Sequence, residues 1–274
     1  MSALHPLTAL SFLIDAGADE AIELEPMDRL RRLEPPAAAA AGAAPSRPMR
    51  PEPAAAPSSS AKALPAAPMV PESQDAAARS ARALAEAAPD LDSLKAAMTG
   101  FGGCALSKTA TQLVFADGTP GADLMIIGEA PGRDEDLEGR PFVGRSGQLL
   151  DRMLTAIGLS RSQVYIANVV PWRPPGNRKP TAAEAAICRP FLERQIILAR
   201  PKLILLLGGA AVSGVLGLEE GIMRLRGQFY DLQVDNLAIP AFATFHPAYL
   251  LRASAEKRLA WRDFLTLKAR LNLL

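Results

Sequence analysis

The sequence predicts an α/β fold: a three-layer αβα arrangement around a mainly parallel four-stranded central sheet. Three observations carry that prediction. Apolar runs of strand length recur at LMIIG (124–128), VYIANVV (164–170), PKLILLLGG (201–209) and NLAIPAFATF (236–245). Stretches with helical apolar spacing separate them. The third run is so apolar that both of its faces must be covered, as in a parallel sheet. Right-handed crossovers then place helices on both faces and bring the carboxyl ends of all the strands to one edge.

Taken in order, the 274 residues exceed one ordinary domain, and composition shows what the excess is. Residues 1–33 hold Leu7, Leu10, Phe12, Leu13 and Ile14, followed by the acidic stretch DEAIELEP. They predict a short amphipathic helix that either docks on another protein or folds back on its own domain. His5 lies there without partners and reads as a surface histidine. Residues 34–91 are dominated by Ala, Pro and Ser, with too little apolar bulk to offset chain entropy, and predict a disordered linker. The folded domain then spans 92–274.

Around the start of that domain, SARALAEAAPDLDSLKAAMTGF reads as one or two short helices, with Asp92 as N-cap and Gly100 as stop. TQLVFA (111–116) is a strand candidate, followed by the turn DGTPG. Leu149, Leu150, Met153, Leu154 and Ile157 fall at helical spacing, and Gly158 closes that helix. Thr181 and Glu184 form a capping box that opens a helix to about Ala199. Gly208-Gly209 lead from the third strand into AAVSGVL, and Ser254 caps the last helix. There is no internal repeat.

Charge divides unevenly. From Phe101 onward there are 21 Lys+Arg against 16 Asp+Glu, and the first hundred residues hold 9 against 13. A mildly basic domain behind an acidic leader permits a polyanionic partner without demanding one. Two distant cysteines, Cys104 and Cys188, suit a reducing compartment. No membrane-length apolar run and no signal-peptide pattern are present, so the expectation is a soluble protein of the cytoplasm.

The loop after the first strand, GEAPGRDEDLEGRPFVGRSG, carries acids, bases, Phe142 and glycines that let the backbone approach a ligand. Its alternative is a solvated connection. Asn168 interrupts an apolar strand, and its amide suits a pyrimidine edge that displays one N–H and one carbonyl. An amide bonded to neighbouring loop backbone is the alternative. His246, projected by Pro247 after the fourth strand, is placed to donate to an oxygen gaining negative charge, or else is a satisfied core histidine.

Together GEAPGRDEDLEGRPFVGRSGQLL, YIANVVPWRPPGNRKPT, the LLGG strand, MRLRG and TFHPAYLLR resemble the uracil-DNA glycosylases, and within them family four, over about Phe101 to Arg270. The resemblance implies a DNA-repair enzyme that flips uracil out of DNA and hydrolyses its glycosidic bond. It implies catalytic roles for Glu129, His246 and, in support, Glu135. Gly128, Ala130, Pro131, Gly132, Phe142 and Asn168 would bind the base, Phe142 by stacking and Asn168 by reading uracil against cytosine. Arg145, Ser146, Arg173, Arg178, Lys179 and Arg252 would contact DNA, and Leu250 or Leu251 would wedge into the gap. The implied partners are uracil-containing DNA and, through the N-terminal helix, a repair or replication protein, with the enzyme a monomer.

Two departures from the family pattern stand out. Ala130 replaces the Asp or Asn of other branches, which leaves the water activator open. Family four holds a [4Fe–4S] cluster with four cysteines; here Cys104 and Cys188 match two, and Phe101 and Trp172 occupy the other positions. Two thiolates do not ligate such a cluster in the usual way, so no cofactor is expected. A related branch forms a covalent adduct through a loop histidine, and RPPGNRKPT has none, which favours hydrolytic turnover. The competing expectations are a catalytically weak nucleic-acid-binding domain of the same superfamily and an unrelated hydrolase. The second is disfavoured because no nucleophile elbow, P-loop or metal-ligand spacing is present.

Overall fold

The structure, a computed structural model, describes residues 74–274. The segment 1–33 and most of the linker lie outside the described residues. The packed part begins earlier than the predicted boundary at 92, with helix α1 over Gln74–Ala87. Its Ala77, Ala81 and Ala85 recur every fourth residue and are buried, so the helix lies close against α5 (Ala182–Ala199). The Arg194 guanidinium on α5 donates to the Ala88 carbonyl from Nε at 2.9 Å and Nη2 at 2.6 Å, fixing the turn after α1. Helix α2 covers Leu91–Thr99, and its cap is Asp90 rather than Asp92: the Asp90 carboxylate accepts from Ser93 N–H at 2.7 Å.

The sheet has six strands instead of four. The predicted core is present: β2 (Leu124–Gly128), β3 (Val164–Asn168), β4 (Leu203–Leu207) and β6 (Leu237–Thr244) run parallel in the order β3-β2-β4-β6. Two antiparallel strands close its edges, the two-residue β1 (Asp117–Gly118) on β3 and β5 (Phe229–Val234) on β6. TQLVFA is not a strand. Its backbone amides go elsewhere: Thr111 N–H donates to Asp136 at 2.9 Å and Val114 N–H to the Pro171 carbonyl at 2.9 Å.

Alternation along the buried strands sorts their side chains into two layers. Met125, Ile127, Tyr165, Ala167, Ile204 and Leu206 face α1, α2, α5 and α6 (Gly209–Leu216). Leu124, Ile126, Val164, Ile166, Leu203 and Leu205 face α4 (Arg145–Ala156) and α9 (Lys257–Leu271). Each such buried Leu or Ile contributes about 1.5–3 kcal/mol. The first turn of α9 follows a tight turn at Ser254–Glu256, and Ser254 does not cap it.

Helix α4 follows β2 onto one face of the sheet, whereas α6 follows β4 onto the other. The loops leaving these neighbouring strands therefore diverge and open a crevice at the carboxyl edge. Two devices hold the edge in place. Gly128 pairs with Asn168 in the parallel register, and Gly208 N–H donates to the Thr244 carbonyl at 2.8 Å. The Asp263 carboxylate on α9 accepts from Thr244 Oγ1 at 2.7 Å and from Nε and Nη2 of Arg226, which anchors the end of β6 to the helix below it.

Candidate active site

The crevice has a volume of about 830 Å³, and its walls come from the ends of β2, β3, β4 and β6. The loop after β2 contains the short helix α3 (Arg133–Glu138), and Glu135 on that helix is buried. One Glu135 oxygen accepts from Gly132 N–H at 3.0 Å, and the other from the N–H groups of Val143 at 3.1 Å and Gly144 at 3.0 Å. The carboxylate thus clasps the two ends of the 132–144 loop, which brings Phe142 back over the strand ends. Asp136 does similar work outward, accepting from Thr111 N–H and Oγ1.

Phe142 adopts φ +55, a left-handed conformation uncommon for a bulky residue. Its carbonyl accepts from Arg161 Nη1 at 3.0 Å, and the Pro141 carbonyl accepts from Nη2 of the same guanidinium. A Cβ on Gly147 would come within 1.7 Å of the Phe142 carbonyl oxygen, so only glycine lets the first turn of α4 approach. Arg161 itself is paired with Asp117 at 2.6 Å and Asp151 at 3.0 Å. Sequence reading missed this clamp, because Arg161 lies outside every motif and meets the loop only through the fold.

Asn168 is 5% exposed at the end of β3, and no described residue hydrogen-bonds its side chain. Its amide atoms nevertheless reach the crevice, since no buried side-chain polar atom among the described residues lacks a partner. The alternative of an amide bonded to loop backbone is therefore set aside. Gly128 sits against it: a Cβ there would lie 2.5 Å from Asn168 Oδ1 and 2.6 Å from Phe142 Cζ. The amide and the ring thus meet over the same glycine.

His246 precedes α8 (Pro247–Arg252), and its Nδ1 accepts from Ala248 N–H at 3.1 Å. A neutral ring bonded that way carries its proton on Nε2. Burial, and secondarily the Arg252 charge, push its pKa down to about 4, so the ring is neutral near pH 7. The imidazole lies 5.5 Å from the Phe142 ring, centroid to centroid and tilted by 30°. Gly208, at φ +89, packs against its Cβ. Asn168, Phe142 and His246 therefore share one crevice.

Glu129 is half-buried at its mouth and accepts no hydrogen bond from the described residues. Burial raises its pKa, and the Lys179 charge opposes that rise.

The structure separates the remaining sequence candidates. Ala130, Pro131, Gly132, Ser146, Lys179 and Arg252 line the crevice, whereas exposed Arg145 does not. Arg178 also lines the crevice, and its guanidinium grips both Glu184 oxygens at 2.9 and 2.7 Å. Arg173 donates to Asn177 Oδ1 at 2.7 Å. Leu250 is 1% exposed in a small core with Phe245 and Ala260, whereas Leu251 is 38% exposed. Glu219, Glu220 and Tyr249 also line the walls, unforeseen from sequence.

Cys104 and Cys188 lie buried side by side beneath α1 and α2. The Cys188 S–H donates to Cys104 and lowers that thiol to about 7, while the same bond and burial push Cys188 well up. The Phe101 ring lies 6.3 Å from that of Trp172 and 5.1 Å from that of Phe191, and a Cβ on Gly103 would meet Phe101 Cζ at 2.5 Å. A four-thiolate iron–sulfur cluster does not fit this set of residues.

Comparison with known proteins agrees with this geometry. Residues 115–265 match the family model described as the uracil DNA glycosylase superfamily. The chain is similar to a type-4 uracil-DNA glycosylase of Archaeoglobus fulgidus, with 43% identity over 152 residues, 54% of this chain and 76% of that protein. It is 40% identical over 174 residues to the Saccharolobus solfataricus type-4 enzyme, 62% of this chain and 81% of that one. It is 43% identical over 150 residues to the type-4 enzyme of Thermotoga maritima, 54% of this chain and 77% of that protein.

Proposed function

We infer the chemistry from one premise: the chain belongs to the uracil DNA glycosylase superfamily. It is a uracil-DNA glycosylase, a hydrolase that releases free uracil from DNA and leaves an abasic site for base excision repair. The observation that carries this is the meeting of an unpartnered amide, an aromatic ring and a neutral imidazole in one crevice.

A base inside a duplex is out of reach, and extruding it costs a few kcal/mol. Stacking on Phe142 and insertion of Leu251 into the vacated step offset that cost. Asn168 accepts from uracil N3–H and donates to O4; cytosine presents the reverse pattern, and a buried mismatch leaves polar groups unpaired. As the C1′–N1 bond breaks, its electron pair passes to uracil and positive charge grows on the sugar. His246 donates from Nε2 to O2 of the departing anion. As a neutral donor, it stabilises the charge without having to transfer its proton. Glu129 takes a proton from water, whose oxygen bonds to C1′, and uracil leaves as the anion. Glu135 supports the reaction by holding the 132–144 loop.

Lys179 and Arg252 supply positive charge at the crevice mouth for the DNA backbone. The N-terminal segment 1–33 serves as a tether to a repair or replication protein. The enzyme works as a monomer in the cytoplasm; among the described residues no helix is long and apolar enough to cross a membrane. The direct test is incubation with DNA carrying a single uracil. Stoichiometric free uracil and an alkali-labile strand are expected. DNA binding with an intact glycosidic bond would favour the catalytically weak alternative.

A further inference from the structure

Lys179 is exposed at the crevice mouth, and its ammonium has no partner among the described residues. Its backbone is held firmly. The Arg178 guanidinium donates to the Lys179 carbonyl at 2.9 Å while gripping Glu184, and Glu184 accepts from Thr181 N–H at 2.8 Å in the capping box of α5. Pro180 stiffens the chain between them. Glu129 and Lys179 line the main crevice together and also a second cavity of about 330 Å³. The Glu129 carboxylate likewise has no hydrogen-bond partner among the described residues.

Three other charged groups lining these cavities are already engaged. Glu135 is bound to three amides, Arg178 to Glu184, and Arg189 of the second cavity to Glu193 at 2.7 Å. His246 is neutral. Arg252 lines the crevice from α8, and Glu219 and Glu220 line it from the segment after α6.

We propose that Lys179 is a positioning residue for Glu129, its ammonium holding the carboxylate charged and turned toward the attacking water. The role rests on the uracil-excision reading above and extends it. When DNA covers the crevice and excludes water, the attraction strengthens because the local dielectric falls.

The test is single-turnover uracil release by wild type, Lys179→Met, Lys179→Arg, Glu129→Gln and the Lys179→Met/Glu129→Gln double variant, from about pH 5 to about pH 9. Lys179→Met is expected to lose about tenfold at the acid end and to recover as pH rises, because loss of the cation leaves Glu129 protonated to higher pH. Lys179→Arg should stay close to wild type, and the Lys179→Met effect should vanish in the Glu129→Gln background. A profile for Lys179→Met that runs parallel to wild type at every pH, with a salt slope of DNA binding reduced by about one, would overturn the proposal and make Lys179 a phosphate contact only. Wild type that releases no uracil would overturn the underlying reading as well, so the two failures are distinguishable.

Discussion

His246→Ala separates the two tasks that the structure gives to this imidazole. Nδ1 caps α8 through the Ala248 N–H at 3.1 Å, which leaves Nε2 as the ring's donor, and the residue lines the crevice. Losing an N-cap acceptor costs about 0.5–2 kcal/mol of stability. For a domain of this size, that lowers Tm by roughly 1–8 °C, at about 2–4 °C per kcal/mol. Losing a preorganised donor to a developing anion slows the chemical step by about 10²–10³. The two effects read out independently. Single-turnover release measured well below the variant's Tm should fall by that factor while DNA affinity, measured separately, changes little. His246→Asn should keep the thermal stability, since its side-chain oxygen can cap the same amide, without keeping the full rate. Wild-type turnover accompanied by a lowered Tm would refute the reasoning and reduce His246 to a helix cap.

Further outcomes follow from the same geometry. Asn168→Asp should cut uracil release by about 10²-fold or more, because it places a carboxylate against O4, and should collapse the uracil-to-cytosine rate ratio in a competition assay. Gly147→Ala should destabilise the domain by at least about 3 kcal/mol or displace Phe142, read by denaturant unfolding and by loss of activity, because the new Cβ would sit 1.7 Å from a carbonyl oxygen. The depressed His246 pKa makes stability depend on pH: the unfolded ring titrates near 6.5 and the folded ring at about 4. Its contribution is therefore fully present above 6.5 and is lost as pH falls toward 4, and NMR titration of the ring should show the low midpoint. Protein purified without oxygen should be colourless and hold far less iron than a four-iron cluster requires, because the chain's two cysteines cannot supply the four thiolates that such a cluster takes.

Much of the fold was legible because four strands are nearly continuous apolar runs, a pattern that only a doubly covered sheet explains. The edges were not. β5 alternates exposed and buried positions and depends on β6 for its pairing, and β1 has two residues, too few for any pattern. The second half of helix α1 was read as helical, but its start was hidden by composition: an alanine-rich stretch looks like a linker until a partner surface makes the Ala77, Ala81 and Ala85 stripe useful. Asn168 and His246 could be found because each lies at or just past the carboxyl end of a strand, and topology alone puts those ends together. The supports could not. Arg161 reaches the Phe142 carbonyl from another loop, Arg178 pairs with Glu184 at the start of α5, and which of Leu250 and Leu251 is buried depends on packing against Phe245 and Ala260.

Titrating isotopically labelled protein with free uracil addresses the pocket most directly. The account predicts that the Asn168 side-chain amide and the His246 imidazole resonances shift together, saturate with one affinity, and stay still when cytosine is added. Movement of only one of the two, or equal responses to both bases, would contradict it.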